Sequence, residues 1–342
     1  MRYYQIIISD PTTGYVLVPD PVTRQFVRTP PSATAVTYAS HINGTFFPGA
    51  LDIEFDFPVY PLAIPQGGSA LKVKGVSLAE IAQRADLNGM NIVVSGGMQA
   101  GLPLAKPQQS GVLIEGQIFQ AFGNWQGTEQ SLDFVILPGY GSPKSPVNCV
   151  LDWKANQPLG PALQQTLQTA FPGYTVDVNI SPNVVFGGDQ PAVHPSVTQL
   201  AQFIKGLTSK LNVQASYEGV DIAIRQKKIL VYDGTVAQTP RVIFFEDMIG
   251  QPTWIEPQVI NISFVMRADL WPGSTFNLPS ELISPFVLTA PSAAVPNTAA
   301  TAKNSSAFQG NFVVRDVHHF GHYRQPDGNA WTTVINAFPQ VA

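Results

Sequence analysis

The chain has 342 residues, of which 44% are hydrophobic and only 12% are charged, about half of the usual charged share. Its formal net charge of −4 and its pI near 5.7 leave no basic stripe to displace counterions, which argues against sequence-specific or generic nucleic-acid binding. Much of its exterior is therefore expected to be covered by other chains; the alternative is a neutral all-β protein with a polar Gln, Asn, Thr and Ser surface.

Other bulk features agree with an intracellularly assembled β protein. The 30 prolines and 28 glycines favour short strands and many turns over long helices. The lone Cys149 has no partner for an internal disulfide, which fits assembly in a reducing compartment. The N-terminal apolar run is typical of a strand rather than a signal peptide, and no stretch reaches the ~18 apolar residues of a membrane helix.

The first third predicts a β domain. Residues 3–8 are a strand, and residues 51–60 alternate Leu51, Ile53, Phe55 and Phe57 with acidic residues, which is typical of a half-buried strand. Residues 69–95 are predicted to be an insertion with a helix from Ser77, which has capping-box spacing to Glu80, to about Leu87. The flanking residues 69–76 and 92–95 are predicted to be extended. Residues 111–138 predict a hairpin.

The middle third predicts a small α+β module. A strand at 149–153 is followed by a helix at 160–170, and Ser196 caps a helix with a continuous apolar stripe. Three short strands are predicted at 213–217, 220–225 and 228–232. Residues 236–257, which contain Gly250, Pro252 and Trp254, are interpreted as a linker with a docking role. Residues 284–310 are rich in Ala, Ser, Thr and Pro and predict a flexible loop or an arm.

The last third predicts a strand at 259–267, a short return at 274–278 and a closing hairpin at 311–338. Pro326, Asp327 and Gly328 form the predicted turn, with Gly328 expected to take a positive φ. The order of strand, insertion and hairpin at 51–137 recurs from 259 onward, without any repeat of residues. We interpret this recurrence as an architectural duplication.

Candidate sites for chemistry are few. His318 and His322 share a strand face about 13 Å apart while His319 points the other way, so one strand cannot bring all three to one metal ion. Cys149 lacks the flanking pattern of a thiol protease. Acidic pairs such as Asp52/Glu54 and Glu246/Asp247 are candidates for the two carboxylates of a glycosidase. No phosphate loop or hydrolase motif is present, so no catalytic residue, cofactor or metal is expected.

The closing hairpin resembles that of tail hub (baseplate hub) proteins of contractile-tailed bacteriophages, which end in a histidine, a glycine, Arg-x-Pro-Asp-Gly-Asn and a tryptophan. The stretch around Gly250, Pro252 and Trp254 is similar to a segment at the same place in those proteins. The matching hairpin residues here are His318 or His319, Gly321, Arg324, Pro326, Asp327, Gly328, Asn329 and Trp331.

The resemblance implies a mainly β fold with an α+β insertion. Two tube-like β-barrel domains, 1–145 and 258–342, would flank an α/β module at 146–235, and three chains would form a ring. Arg324, Pro326, Asp327, Gly328, Asn329, Trp331, Gly250, Pro252 and Trp254 would be structural or interface residues.

The function implied is structural, not enzymatic: a virion protein of the tail baseplate that joins a sixfold tail tube to a threefold central spike during assembly and DNA ejection. Expected partners are two further copies, a tail tube or tube-initiator protein, the spike, baseplate wedge or neighbouring baseplate proteins, and a tape-measure protein as a further candidate. The alternatives are a tail-associated cell-wall hydrolase, for which no separate segment is left over, and a receptor- or carbohydrate-binding tail module.

Overall fold

The computed structural model describes residues 1–64, 67–99, 109–139, 147–214, 217–236, 238–279 and 310–340. The predicted loop at 284–310 lies outside these ranges except for Gly310, and so do residues 100–108. The described chain is mainly β, with most of its strands in large antiparallel sheet. It holds three α-helices of five to twelve residues.

The N-terminal part forms eleven strands and one short helix. They are β1 (Arg2–Ser9), β2 (Val16–Pro19), β3 (Phe26–Thr29), β4 (Tyr38–Ala39), β5 (His41–Ile42), β6 (Thr45–Phe46), β7 (Asp52–Val59), β8 (Ser69–Lys74), α1 (Leu78–Ala82), β9 (Asn91–Met98), β10 (Gly111–Gln126) and β11 (Glu129–Pro138). The predicted capping box is present, since Ser77 and Glu80 each bond the other's backbone N–H. The predicted extended residues at the two ends of 69–95 are strands β8 and β9 of the sheet, and residues 75–90 between them contain α1.

The first sheet places these strands in the order β7–β8–β11–β10–β9–β1, all antiparallel, with β2 and β3 beyond β1. Tyr4, Ile53 and Phe134 are among the buried residues that form one core on its concave side. The Tyr4 hydroxyl on β1 donates to the Leu51 carbonyl at the start of β7, 2.6 Å away. In a flat sheet these end strands would lie about 24 Å apart, beyond the reach of a tyrosine. The sheet therefore curls until its ends face each other.

The middle of the chain forms a separate α+β unit with its own core. It contains β12 (Cys149–Trp153), α2 (Leu159–Ala170), β13 (Thr175–Asn179), β14 (Gln190–His194), α3 (Val197–Thr208), β15 (Asp221–Arg225) and β16 (Lys228–Tyr232). The described residues of 213–217 form no strand, contrary to the prediction, and β14 was not predicted. Its Pro191 and sparse apolar residues give a weak strand pattern.

The C-terminal part forms β17 (Arg241–Val242), β18 (Thr253–Glu256), β19 (Val259–Val265), β20 (Thr275–Asn277), β21 (Asn311–His322) and β22 (Trp331–Pro339). The predicted closing hairpin is present as β21 and β22. The order across this second sheet is β18–β19–β22–β21–β20–β17. Strands β17 and β18 lie inside the segment 236–257 that was interpreted as a linker.

The two sheets have corresponding strand orders. Each sheet begins with a hairpin, β7–β8 in the first and β18–β19 in the second. The second strand of that hairpin pairs with the second arm of a later hairpin, which is β11 in the first sheet and β22 in the second. The first arm (β10 or β21) then pairs with the strand before it in the chain. The correspondence pairs β7 with β18 and β8 with β19, one strand away from the predicted match of 51–60 with 259–267. The end strands differ, because β1 is antiparallel to β9 whereas β17 is parallel to β20.

Strand β21 joins the two sheets. One of its edges pairs with β22 along most of its length. The other edge pairs with β20 at Asn311 to Val313 and with β7 at Val317 to His322. The end strand of the first sheet thus continues directly onto the hairpin of the second.

Candidate functional site

The turn of the closing hairpin is a capped 3-10 turn. Asp327 precedes the turn Gly328–Ala330, and its Oδ1 accepts a hydrogen bond from the Asn329 N–H at 2.9 Å. The predicted positive φ at Gly328 is wrong, since this residue begins the 3-10 turn and its φ lies outside the left-handed region. The predicted hydrogen bond from the Asp327 side chain to the backbone is present, and it caps the turn without a left-handed φ at Gly328.

Arg324 fastens this turn to the first sheet. Its Nη2 donates to the Ala50 carbonyl at 2.6 Å, and its backbone N–H donates to Asp52 Oδ1 at 3.1 Å. Ala50 and Asp52 lie at the start of β7. The arginine of the motif therefore makes an intramolecular contact between the sheets, while Pro326 is exposed at the tip of the turn.

Arg2 on β1 organises the same turn from the other side. Its guanidinium donates to the carbonyls of His322 (2.6 Å), Tyr323 (3.1 Å), Gln325 and Asp327 (2.5 Å). Burial lowers the pKa of Arg2 from its ordinary value, although the nearby Asp327 opposes that shift. The role of Arg2 was not predictable from the sequence, because its partners are more than 300 residues away and no local pattern marks it.

Trp331 inserts into the core of the first sheet. Its indole N–H donates to the Gly97 carbonyl on β9 at 2.9 Å. Its ring meets Phe55 of β7 edge-on at 5.2 Å and lies 6.0 Å from the Tyr323 ring. The first residue of the last strand is thus part of the core of the first sheet. The hairpin residues at this contact between the two sheets are called the sheet junction: Arg324, Asp327, Asn329 and Trp331.

The Gly250–Trp254 segment lies at the far end of the second sheet. Met248 bridges to Phe264, Gly250 takes a φ of +80°, and β18 resumes pairing with β19 at Thr253. Only glycine adopts that φ without strain. Gly250 and Pro252 therefore allow an extended segment to leave β19 and return to it as the end strand β18. Trp254 of that strand is exposed.

The acidic face of β7 is neutralised across the strands. Glu54 bonds Lys74 on β8 and lies 3.5 Å from His322 on β21. Burial alone would raise the pKa of Glu54, but the hydrogen bond and charge of Lys74 outweigh it and lower the pKa. Asp56 in turn contacts His318. The lowered pKa of Glu54 favours its ionised form, unlike the raised-pKa acid that glycoside hydrolysis requires.

The three hairpin histidines are divided between the two faces of β21. His318 and His322 lie on the exposed face, whereas His319 is buried and its Nδ1 lies 2.9 Å from the Thr333 hydroxyl. Burial, followed by the charges of Arg225 and His318, lowers the pKa of His319 to about 3. Within the described ranges, no three His, Cys, Asp or Glu side chains are grouped so that they could hold a metal ion.

Cys149 lies directly opposite His194 in the β12–β14 pair. The thiol is buried and contacts the Val147 carbonyl at 3.8 Å, and burial raises its pKa to about 11. A nucleophilic cysteine needs a thiolate, which this environment disfavours.

No helix in the described part of the chain is long and apolar enough to cross a membrane.

Exposed aromatic side chains mark the outer half of β10. Phe119, Phe122 and Trp125 are 62%, 43% and 66% exposed, in a chain that buries most of its large apolar residues. These residues were not predicted, because a spacing of three fits neither face of a regular strand. The β-bulge between Ile118 and Gln120 interrupts the alternation between Phe119 and Phe122, whereas Phe122 and Trp125 lie on opposite faces of the regular strand end.

No protein-family model matches the sequence, and no curated protein matches it. Among solved structures, an E. coli type VI secretion component described as similar to T4 bacteriophage tail proteins gp27 and gp5 matches with 9% identity and a TM-score of 0.43, over 85% of this chain and 73% of that one. A tail protein from Neisseria meningitidis MC58 matches with 8% identity and a TM-score of 0.44, over 98% and 96%.

A 43 kDa tail protein of prophage MuSo2 from Shewanella oneidensis matches with 9% identity and a TM-score of 0.43, over 98% of both chains. With identities below 25% and TM-scores below 0.5, these similarities carry no argument about the function of this chain.

Proposed function

We propose that this chain is the hub of a contractile phage tail baseplate, in which three copies form a ring. The ring would carry the sixfold tail tube on one side and the threefold central spike on the other, with wedge or other baseplate proteins around it. Its channel would open for DNA ejection. The proposal follows from the resemblance of the hairpin residues 318–331 together with the organisation of the two sheets.

The observation that carries the proposal is the repetition of one strand order within the chain, joined through β7 and β21. Two similar units in one subunit turn three subunits into six near-equivalent positions, which is what matching a threefold spike to a sixfold tube requires. The reach of Tyr4 to Leu51 supports a barrel-like first unit. The low charged share of 12% fits a surface covered by neighbours.

The α+β unit would occupy the outside of such a ring. Arg225 donates to the Val112 carbonyl of the first sheet at 2.6 Å, and Leu230 and Tyr232 pack on Val313 of the second. The unit thereby braces both sheets from one side. This leaves their opposite surfaces available for a channel.

The test is the mass and symmetry of the purified protein. Three copies of the 36.9 kDa chain should give about 111 kDa by light scattering, and electron microscopy should show a ring with six lobes of threefold symmetry. Concentration should shift any monomer toward this species. A monodisperse dimer, or a ring whose lobes are not paired, would contradict the proposal.

A further inference from the structure

Corresponding strand edges in the two sheets differ in how much of their length is paired. On β21, the edge away from β22 is used twice, by β20 at one end and by β7 at the other. On the corresponding strand β10, the edge away from β11 pairs with β9 only from Gly111 to Gln117. No described strand pairs with the rest of that edge, although β10 runs to Gln126.

The edge of β10 away from β11 is occupied as far as Ala121. Backbone hydrogen bonds join Ile118 to Gly89 and Met90, and the Ala121 N–H donates to Asn88 Oδ1. The open part of this edge therefore begins beyond Ala121. Because strand groups alternate in direction, the backbone groups of Gly123 and Trp125 face the same side. The exposed Phe122 and Trp125 flank them. An unpaired edge of this kind is a template for another strand.

The complementary element is β18. It corresponds to β7, because each is the outermost strand of its sheet and forms a hairpin with the strand that follows it. β7 has a second partner, β21, whereas β18 ends the described strand order. All four residues of β18 are exposed, including Ile255 at 51%.

We propose that β18 of one copy pairs antiparallel with the open end of β10, residues 123–126, of the next copy, as β7 pairs with β21 inside the chain. This inference rests on the ring proposed above and names its contact between subunits. The contact is heterologous, so each copy offers one strand and receives another, and repetition closes a ring. Junctions within and between chains would then be near-equivalent, and the aromatics of β10 would be covered by Ile255 and its neighbours.

Cross-linking tests this pairing. In a Cys149→Ala background, the double variant Trp125→Cys/Ile255→Cys treated with a short bismaleimide should give covalent dimers and trimers and nothing larger. The matched control replaces Trp125→Cys with Val193→Cys, an equally exposed position on the α+β unit that is 68% exposed. It should remain uncoupled.

The outcomes separate the two proposals. A trimer by light scattering without cross-links above the control would overturn the strand pairing and leave the ring. A monomer at every concentration, without cross-links, would overturn both. Cross-links that extend into an open ladder would support the pairing and contradict a three-membered ring.

A charge exchange provides a second readout. Trp125→Glu and Ile255→Lys should each lower the trimer association constant at least about tenfold, because each places a charge in an apolar contact. Combining them should restore part of it, since every contact then pairs opposite charges. Val193→Glu should change nothing, and circular dichroism should show all variants folded. The pairing would be overturned if each single variant lowered the trimer association constant no more than Val193→Glu and the combined variant showed no recovery.

Discussion

Two glycines of the closing hairpin differ in the space around their α-carbons. A β-carbon on Gly321 would lie 2.2 Å from the Phe55 ring, inside the contact between β21 and β7. A β-carbon on Gly328 would meet no described atom within 4 Å, and Gly328 has no left-handed φ. The glycine that stands inside the strand is therefore the constrained one, and the glycine of the turn is not.

This difference predicts unequal costs for the same substitution. Gly321→Ala should lower the free energy of unfolding by about 2 kcal/mol, because the added methyl displaces a packed aromatic ring. Gly328→Ala, its matched control, should change it by less than about 0.5 kcal/mol. Denaturant titration measures both values. Equal changes in the free energy of unfolding would show that Gly321 is no more constrained than Gly328.

The buried His319 should make stability depend on pH. Its pKa is lowered to about 3 in the folded protein from an ordinary 6.5. Between these values the unfolded chain binds a proton that the folded chain does not, so acid favours unfolding. The contribution is intact above pH 6.5 and is lost as the pH falls toward 3, by about 1.4 kcal/mol per pH unit.

The variant His319→Asn removes the titration while keeping a polar partner for Thr333. Its unfolding free energy should be lower at pH 7 but should fall less steeply than that of the wild type between pH 6.5 and 4. Subtracting the two curves cancels the carboxylates that titrate in the same range. Parallel curves would mean that His319 titrates normally in the folded protein.

At the scale of elements, the hairpin turn is held by a strand from the opposite end of the chain. Arg2 of β1 contacts four carbonyls of the turn, and its guanidinium lies 5.9 Å from the Trp331 ring. The guanidinium spreads its donors over a rigid planar fork, whereas the lysine ammonium presents three donors from a single nitrogen. The N-terminal strand and the C-terminal hairpin therefore form one structural element.

We expect Arg2→Met to lower the free energy of unfolding by about 1 to 2 kcal/mol, because carbonyls of the turn lose a charged donor. Amide hydrogen exchange of residues 323–330 should become faster. Arg2→Lys should recover only part of the loss. The control is Arg28→Met, which removes an exposed ion pair with Asp10 on another part of the first sheet. Unchanged exchange in the turn would refute the role given to Arg2.

At the scale of the whole molecule, the two sheets are continuous rather than merely adjacent. β21 shares one edge between β20 and β7, and Trp331 of the second sheet is buried in the first core. In the ring that we propose, copies meeting end to end would repeat this internal junction. The exposed aromatic residues of β10 would then lie at the contact between copies.

Local elements were largely predictable from the amino-acid sequence. The alternation of Ile53, Phe55 and Phe57 with acidic residues, the cap at Ser77 and the closing hairpin all follow from side-chain period and short-range hydrogen bonds. Such signals involve residues a few positions apart. They indicated a β region at each end of the chain and the residues of the hairpin motif, but they matched the strands of the two regions one strand out of register.

Only the tertiary structure decided which strands are neighbours and which residues meet. β7 lies between β8 and β21, Arg2 contacts the turn, and one edge of β10 is left open. Each of these features depends on residues that are far apart in the chain. Strand periodicity states which face is buried but not which edge lies beside it, because backbone hydrogen bonds are the same for every partner. Register and partner were chosen by packing of the assembled cores, as the Trp331 ring between Phe55 and Tyr323 illustrates.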